Sequence, residues 1–145
     1  MSYEFKAVRR VEFSDTDMAG IMHFSNFFRF MEAAEHGFFR SLGLSIIHDA
    51  AHPEIGWPRV RAECEYSAPL HFQDEVEIQL LVAEKKTKSI RYLFKFREVN
   101  GPVEVARGSV TVVCVTHRPG VKMKACAIPE AISARITAAP PELLQ

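Results

Sequence analysis

Between Phe5 and Phe13 the apolar positions 5, 7, 11 and 13 are interrupted by Lys6, Arg10 and Glu12. This imperfect alternation predicts a half-buried strand. A loop, SDTDMAG at residues 14–20, separates it from SNFFRFMEAAEHGFFRSLGL. In that second stretch Phe27, Phe30, Met31, Ala34, Phe38 and Leu42 recur at steps of three and four, the spacing of one helix face. Phe28 and Phe39 add a second apolar edge, so the helix should be wrapped by other elements. Ser25 or Asn26 is placed to cap its start and Gly43 to end it. Gly37 in its interior costs about 1 kcal/mol relative to alanine and calls for close packing or a local adjustment.

Residues 46–51 predict a short helical turn ahead of the loop HPEIGWP. Strand then follows strand. RVRAECEY alternates Val60, Ala62, Cys64 and Tyr66 against charged residues; EVEIQLLV alternates Val76, Ile78, Leu80 and Val82; SIRYLFKF sets Tyr92, Phe94 and Phe96 on one face. The dipeptide Asn100-Gly101 marks a hairpin, VEVARGSVTVVCV supplies the last long strand, and PEAISARI, from Pro129, predicts a short closing helix with proline first. One strand, one long helix and four successive strands make an α+β fold, an antiparallel sheet whose apolar face the helix covers.

The 145 residues, 48% of them hydrophobic, fit one domain spanning 1–145. Eighteen Lys and Arg balance eighteen Asp and Glu, so no global field favours nucleic acid or an anionic membrane. The basic pair near the N-terminus has no apolar run behind it, and no run approaches a membrane span. Three cysteines, Cys64, Cys114 and Cys126, are an odd number without CxxC spacing, against both a disulfide framework and a structural zinc site. The expectation is a soluble cytoplasmic protein without metal or cofactor.

The chemistry concentrates in SDTDMAG. An aspartate-based phosphatase places DxD after a buried, continuously apolar parallel strand; here Arg9, Arg10 and Glu12 precede it and no βαβ series follows. A calcium loop starting at Asp15 would need oxygen ligands at its fifth and twelfth positions, which are Ala19 and Asn26. Either aspartate could complement a helix N-terminus, but Ser25 and Asn26 already occupy the cap, and Asp17 lies eight residues before Ser25. A further reading sets a carboxylate opposite the free N–H groups of the loop and helix start, which can hold an oxyanion. That is an arrangement for acyl transfer.

The stretch VEFSDTDMAGIMHFSNFFRFMEAAEHGFFRSLGL, with EYSAPLHFQDEVEI, VTVVCV and KMKACAIP downstream, resembles the hotdog-fold acyl-CoA thioesterases of the 4-hydroxybenzoyl-CoA thioesterase family, including its Tol-Pal-associated branch. The resemblance implies a long helix wrapped by an antiparallel sheet of about five strands, with active sites at the interface of a homodimer or a dimer of dimers (a homotetramer). It implies that Asp17 is the catalytic carboxylate, Asp15 its structural or polarising neighbour, and the backbone N–H of Phe24 the group that polarises the thioester carbonyl. Gly20 lets the loop fold back, and Glu32 matches a helix acid of the Tol-Pal branch. That branch often carries Tyr and His where this chain has Phe13 and Phe24; the imidazole here is His23, one residue earlier, a candidate catalyst or a lining residue.

The implied substrate is an acyl-CoA, aryl in preference to short aliphatic, cleaved with Asp17 as nucleophile or general base. Lys86 and Lys88 of EKKTKS are candidates for the CoA phosphates, or else keep a hairpin tip solvated; Trp57 is a candidate pocket wall or a packing residue. Two alternatives stand beside this reading. A hotdog dehydratase or hydratase wants a histidine and an acid, for which His23 or His36 with Glu32 is the available set; a non-catalytic acyl-carrier or complex partner would keep the fold alone.

Overall fold

The computed structural model describes residues 1–46 and 54–145, so most of the helical turn expected at 46–51 lies outside the described residues. Strand β1 (Glu4–Arg10) leads through a 3₁₀ turn (Phe13–Asp15) to helix α1 (Asn26–Ser41). Then come β2 (Ile55–Gly56), β3 (Arg59–Tyr66), β4 (Glu75–Lys85), β5 (Ser89–Glu98), β6 (Glu104–Val113), β7 (Val115–Thr116), β8 (Lys124–Ala125), α2 (Glu130–Ser133) and a 3₁₀ turn (Pro141–Leu144). The five long strands form one antiparallel sheet in the order β1-β4-β5-β6-β3; β2, β7 and β8 make a small second sheet.

Helix α1 lies across β1 and β4. Its stripe of Phe27, Phe30, Met31, Ala34 and Phe38 is buried with Val76, Ile78, Leu80 and Val82 of β4 and Tyr92, Phe94 and Phe96 of β5, the residues that the alternation assigns inward. Removing each large side chain from water contributes about 1.5–3 kcal/mol. The helix approaches the sheet closely at two glycines. A methyl on Gly37 would stand 2.6 Å from Cε2 of Phe5 on β1, and one on Gly108 of β6 would overlap the end of Met31. Close packing therefore explains the helix-interior glycine.

The helix ends as expected. Gly43 takes φ +75, the N–H of Leu44 reaches the Phe39 carbonyl at 2.9 Å, and that of Gly43 reaches the Arg40 carbonyl at 3.0 Å, a Schellman closure. Its start differs: Ser25 stands at the N-cap without a side-chain cap bond, because its hydroxyl is engaged by His23. β1 stops at Arg10, and Phe13 opens the 3₁₀ turn 77% exposed, its ring edge against Phe72. Asn100-Gly101 sits in a longer link over residues 99–103, closed by the Gly101 N–H on the Glu98 carbonyl at 3.0 Å. Pro129 stands at the N-cap of α2 rather than inside it. The three cysteines are free, although the sulfurs of Cys114 and Cys126 approach to 3.7 Å.

The alternation in β3 does not translate into burial. β3 is the sheet edge furthest from β1, and Val60 remains 61% exposed and Tyr66 44%. A register irregularity between Arg59 and Arg61 accompanies this. Arg59 turns back to α1 and pairs with Glu35, which alone of the charged side chains among the described residues is buried. Burial pushes the Glu35 carboxyl from its ordinary 4.5 up to about 7, against the opposing pull of Arg59.

Two outcomes follow from this packing. Gly37→Ala adds about 1 kcal/mol of helix propensity but forces a methyl into the Phe5 ring at about 1–3 kcal/mol. Urea denaturation should show a net loss, and the alanine should cost less in a Phe5→Leu background; a gain from Gly37→Ala alone contradicts the crossing. For Glu35, the folded state keeps a proton between pH 4.5 and 7 that the unfolded chain releases, so this group's stabilisation is complete below 4.5 and is lost as pH rises through 7. The stability of the wild type minus that of Glu35→Gln should fall by about 3 kcal/mol across that window and level off above it. A difference independent of pH would reject the assignment.

Candidate active site

The SDTDMAG loop is a turn closed on itself. The Asp17 N–H donates to the Ile21 carbonyl at 2.9 Å, and the Gly20 N–H donates to the Asp17 carbonyl at 3.0 Å. Gly20 takes φ +82, and no atom lies within 4 Å of the Cβ position, so conformation and not space selects glycine there. The Ala19 N–H holds Oδ1 of Asp17 at 2.8 Å, while Oδ2 meets no donor among the described residues. The loop is anchored beyond β3 by the Met22 N–H on the Leu70 carbonyl at 2.7 Å.

The two acids have different surroundings. Asp15 turns its carboxylate back on the loop, where Oδ2 accepts the Glu12 N–H at 2.9 Å. Its carbonyl accepts the His23 N–H and the Asn26 side-chain amide, both at 2.8 Å, and so ties the loop to the first residue of α1. His23 is likewise occupied: Nδ1 accepts the Ser25 N–H at 3.2 Å and lies 2.7 Å from the Ser25 hydroxyl, and the ring stacks on Phe24 with centroids 4.6 Å apart. The Phe24 N–H meets no acceptor among the described residues. The Phe24 carbonyl accepts the Tyr66 hydroxyl at 3.0 Å, which fastens the helix start to the end of β3. Partial desolvation of its ring end, with Cys64 beside it, raises the Tyr66 phenol to about 12, although the residue as a whole is 44% exposed.

Asp17 and Phe24 line one cleft of about 520 Å³, with Met22, Phe27, Tyr66 and Leu70 among its walls. The other candidates lie elsewhere in the chain. Glu32 is 3.5 Å from the Arg59 guanidinium and borders two separate cavities. Trp57 is buried against Phe39 and borders one of these, of about 490 Å³, with His36 and His117. Desolvation lowers the His36 imidazole below its ordinary value. Lys86 and Lys88 are exposed at the β4–β5 turn, Lys86 3.5 Å from Glu84, whereas Lys85 is spent on the carbonyls of Ser133 and Ile136 at 2.8 and 2.7 Å. Among the described residues no cluster of three or more His, Cys, Asp or Glu could hold a metal ion, and no helix is long and apolar enough to cross a membrane.

The pair Glu35–Arg59 with Tyr92, around a cavity of about 320 Å³, is a polar group that the sequence reading passed over. The signal was present. Glu35 stands between Met31 and Phe38 on the apolar stripe of α1, where a charged residue is out of place.

The comparisons with known proteins bear on both fold and site. The chain is similar to a 1,4-dihydroxy-2-naphthoyl-CoA hydrolase of Prochlorococcus marinus (strain MIT 9303), 28% identical over 96 residues, which are 61% of this chain and 64% of that protein. The match spans less than two thirds, 64–65%, of the length of the curated relatives it first matches. It is 24% identical to the 4-hydroxybenzoyl-CoA thioesterase of Pseudomonas sp. (strain CBS-3) over 125 residues, 83% of this chain and 89% of that one. Among solved structures, a gentisyl-coenzyme A thioesterase superposes with a TM-score of 0.77 at 32% identity, covering 89% of this chain and 99% of the other. The long helix wrapped by a five-stranded antiparallel sheet is the hotdog fold, as the resemblance implied. The model of the thioesterase-like superfamily matches residues 11–136, from just after β1 to just past α2 and with the Asp17 cleft inside it, and the chain belongs to that superfamily.

Proposed function

We propose that the chain is an acyl-CoA thioesterase that hydrolyses an aryl acyl-CoA to the free acid and CoA, with Asp17 and the Phe24 N–H as its working groups. The observation that carries this reading is their position: an aspartate with one carboxylate oxygen held and the other open shares a mainly apolar cleft with an N–H at a helix start that has no partner among the described residues. The relatives named for 1,4-dihydroxy-2-naphthoyl-CoA, 4-hydroxybenzoyl-CoA and gentisyl-CoA support an aryl thioester over a short aliphatic one.

The chemistry follows from the substrate. A thiolate, whose conjugate acid has a pKa near ~8.5, leaves without a general acid. The carbonyl must be polarised and a nucleophile delivered. With the carbonyl oxygen on the Phe24 N–H, Oδ2 of Asp17 either attacks the carbonyl carbon or takes a proton from a water that does. The negative charge of the tetrahedral intermediate rests on that N–H, adjoined by the positive end of α1. The C–S bond then breaks and CoA departs as thiolate; the direct route leaves an anhydride that water opens. Asp15 positions the loop through its carboxylate and carbonyl, and His23 shapes the wall beside Phe24.

The unpaired outer edge of β3, with Val60 exposed on it, supports a homodimer joined through that edge, since an exposed strand invites pairing with a second copy. In that arrangement the clefts border the interface, and a dimer of dimers is compatible with it. A cytoplasmic setting, where acyl-CoA is met, fits the free cysteines. Lys86 and Lys88 serve the CoA phosphates in this reading, Lys86 exchanging its exposed partner Glu84 for them.

Asp17→Asn should lower kcat on an aryl acyl-CoA on the order of 10²–10⁴-fold with the circular dichroism spectrum unchanged; near-normal turnover would sink the assignment. Replacing Lys86 and Lys88 together by alanine should raise KM severalfold and flatten its dependence on salt while kcat holds. An unaltered KM would make the two lysines a solvated hairpin tip.

A further inference from the structure

The sulfurs of Cys114 and Cys126 lie 3.7 Å apart, and both are free thiols. Strand pairing puts them there. β7 and β8 match Val115 with Ala125 and Thr116 with Lys124, so one step back along the ladder sets Cys114 opposite Cys126. The Cys126 N–H accordingly donates to the Cys114 carbonyl at 2.9 Å. Residues opposite one another in an antiparallel pair have Cα atoms about 4.5–5.5 Å apart, inside the roughly 4.4–6.8 Å that a disulfide spans. Rotation of the side chains is then enough to bring the sulfurs to bonding distance.

The thiols differ in access. Cys114 is fully buried, and burial, with the Cys126 sulfur hydrogen-bonded beside it, pushes its thiol from the ordinary 9.0 up to about 12. Cys126 is partly exposed. Cys64 pairs with Gly108 in the sheet, and roughly 20 Å of extended strand separates Gly108 from Cys114. One thiol of the pair thus meets solvent, and the other waits behind it.

We propose that Cys114 and Cys126 are a site of reversible oxidation, at which a peroxide converts the thiol pair into a disulfide. The Cys126 sulfur attacks one peroxide oxygen and the O–O bond breaks; Cys126 becomes a sulfenic acid, and its proton leaves with the second oxygen as water. The Cys114 sulfur then attacks the sulfenic sulfur. An S–S bond forms, the S–O bond breaks, and the hydroxyl departs as water with the Cys114 proton. The sulfurs together give up the electron pair that reduces the peroxide. A dithiol restores both thiols by exchange.

The disulfide acts on the β4–β5 turn. That turn, which bears Lys86 and Lys88, is held by one N–H near each cysteine: that of Cys114 on the Lys88 carbonyl at 2.7 Å, and that of Ile128 on the Thr87 carbonyl at 2.9 Å. A covalent bond between Cys114 and Cys126 keeps both donors in place and suppresses their local opening. No thioester enters this chemistry, so the site stands apart from the thioesterase reading.

Treating the whole, reduced protein with hydrogen peroxide tests the site. Lys122 and Lys124 put the two cysteines on different tryptic peptides, so the unreduced digest should contain a Cys114–Cys126 cross-link, with Cys64 still open to alkylation. Dithiothreitol should restore both thiols. Amide exchange at Cys114 and Ile128 should slow by about fivefold or more in the oxidised protein and recover on reduction. Cys126→Ser, at a partly exposed position, should remove the cross-link and make exchange insensitive to peroxide; the wild-type result decides the matter if that variant folds poorly. Three thiols still alkylated after oxidation, a sulfinic acid at Cys126 in place of the cross-link, or a link through Cys64 or between chains overturns the site. Unchanged exchange in the cross-linked protein overturns its action on the turn.

Discussion

The fold depends on one close crossing. Helix α1 can bury its aromatic stripe over the sheet because the backbone at Gly37 admits the Phe5 ring and the backbone at Gly108 admits Met31. Those contacts set the height and the rotation of the helix above β1 and β6. Interiors packed at near-crystalline density allow little slack, so the position of the helix start is inherited from contacts more than a turn away. Phe27, at that start, is pinned by edge-on contacts with Phe96 and Tyr66, at 5.3 and 5.0 Å between centroids. Core packing thus acts on the Phe24 N–H together with the local bonds of Tyr66 to the Phe24 carbonyl and of His23 to Asp15.

The loop that carries Asp17 is positioned by the same helix. Asp15 connects the two through its carbonyl, which accepts from His23 and Asn26, and its carboxylate caps the preceding 3₁₀ turn. With Asp15 and Gly20 shaping the turn, Asp17 needs only one bond, from Ala19, to fix its side chain, and this leaves an oxygen available. Division of labour between adjacent acids gives a rigid carboxylate without saturating it. In the proposed mechanism, preorganisation of this kind would spare the reorganisation that a mobile side chain needs at the moment of reaction.

Much of this was legible in the chain before any coordinates. The 3.6-residue stripe of α1 and the alternation in β4 and β5 mark elements buried against one another, where periodicity and burial are the same fact. Asp17, Gly20 and the helix start were legible as a loop opposite a helix N-terminus. Less legible was anything decided across the fold. The alternation in β3 promises burial that one chain does not supply, because the sheet ends there. Ser25 reads as a cap, yet its hydroxyl is drawn off by His23 two residues earlier. Lys85, Lys86 and Lys88 look alike in sequence; that Lys85 binds the end of α2 depends on residues nearly fifty positions away.

The Glu35–Arg59 pair is the clearest departure from local consistency. Bringing a carboxylate and a guanidinium together in the interior seldom stabilises a protein more than an apolar pair of the same volume, because desolvation offsets the attraction. Here the balance is poorer still, since among the described residues one Glu35 oxygen is unmatched and burial favours the protonated form. Tyr92, beside it, has its phenol pushed well above the ordinary value by the same desolvation and also goes unmatched among the described residues. A leucine at position 35 would continue the stripe of Met31 and Phe38 without either cost. Positions that break a local rule without a compensating gain inside the fold are where a function outside the fold is to be sought. The cavity that these two side chains help to line, together with Arg59 and Glu32 and the apolar Phe28, Met31, Phe94 and Val110, lies beside them.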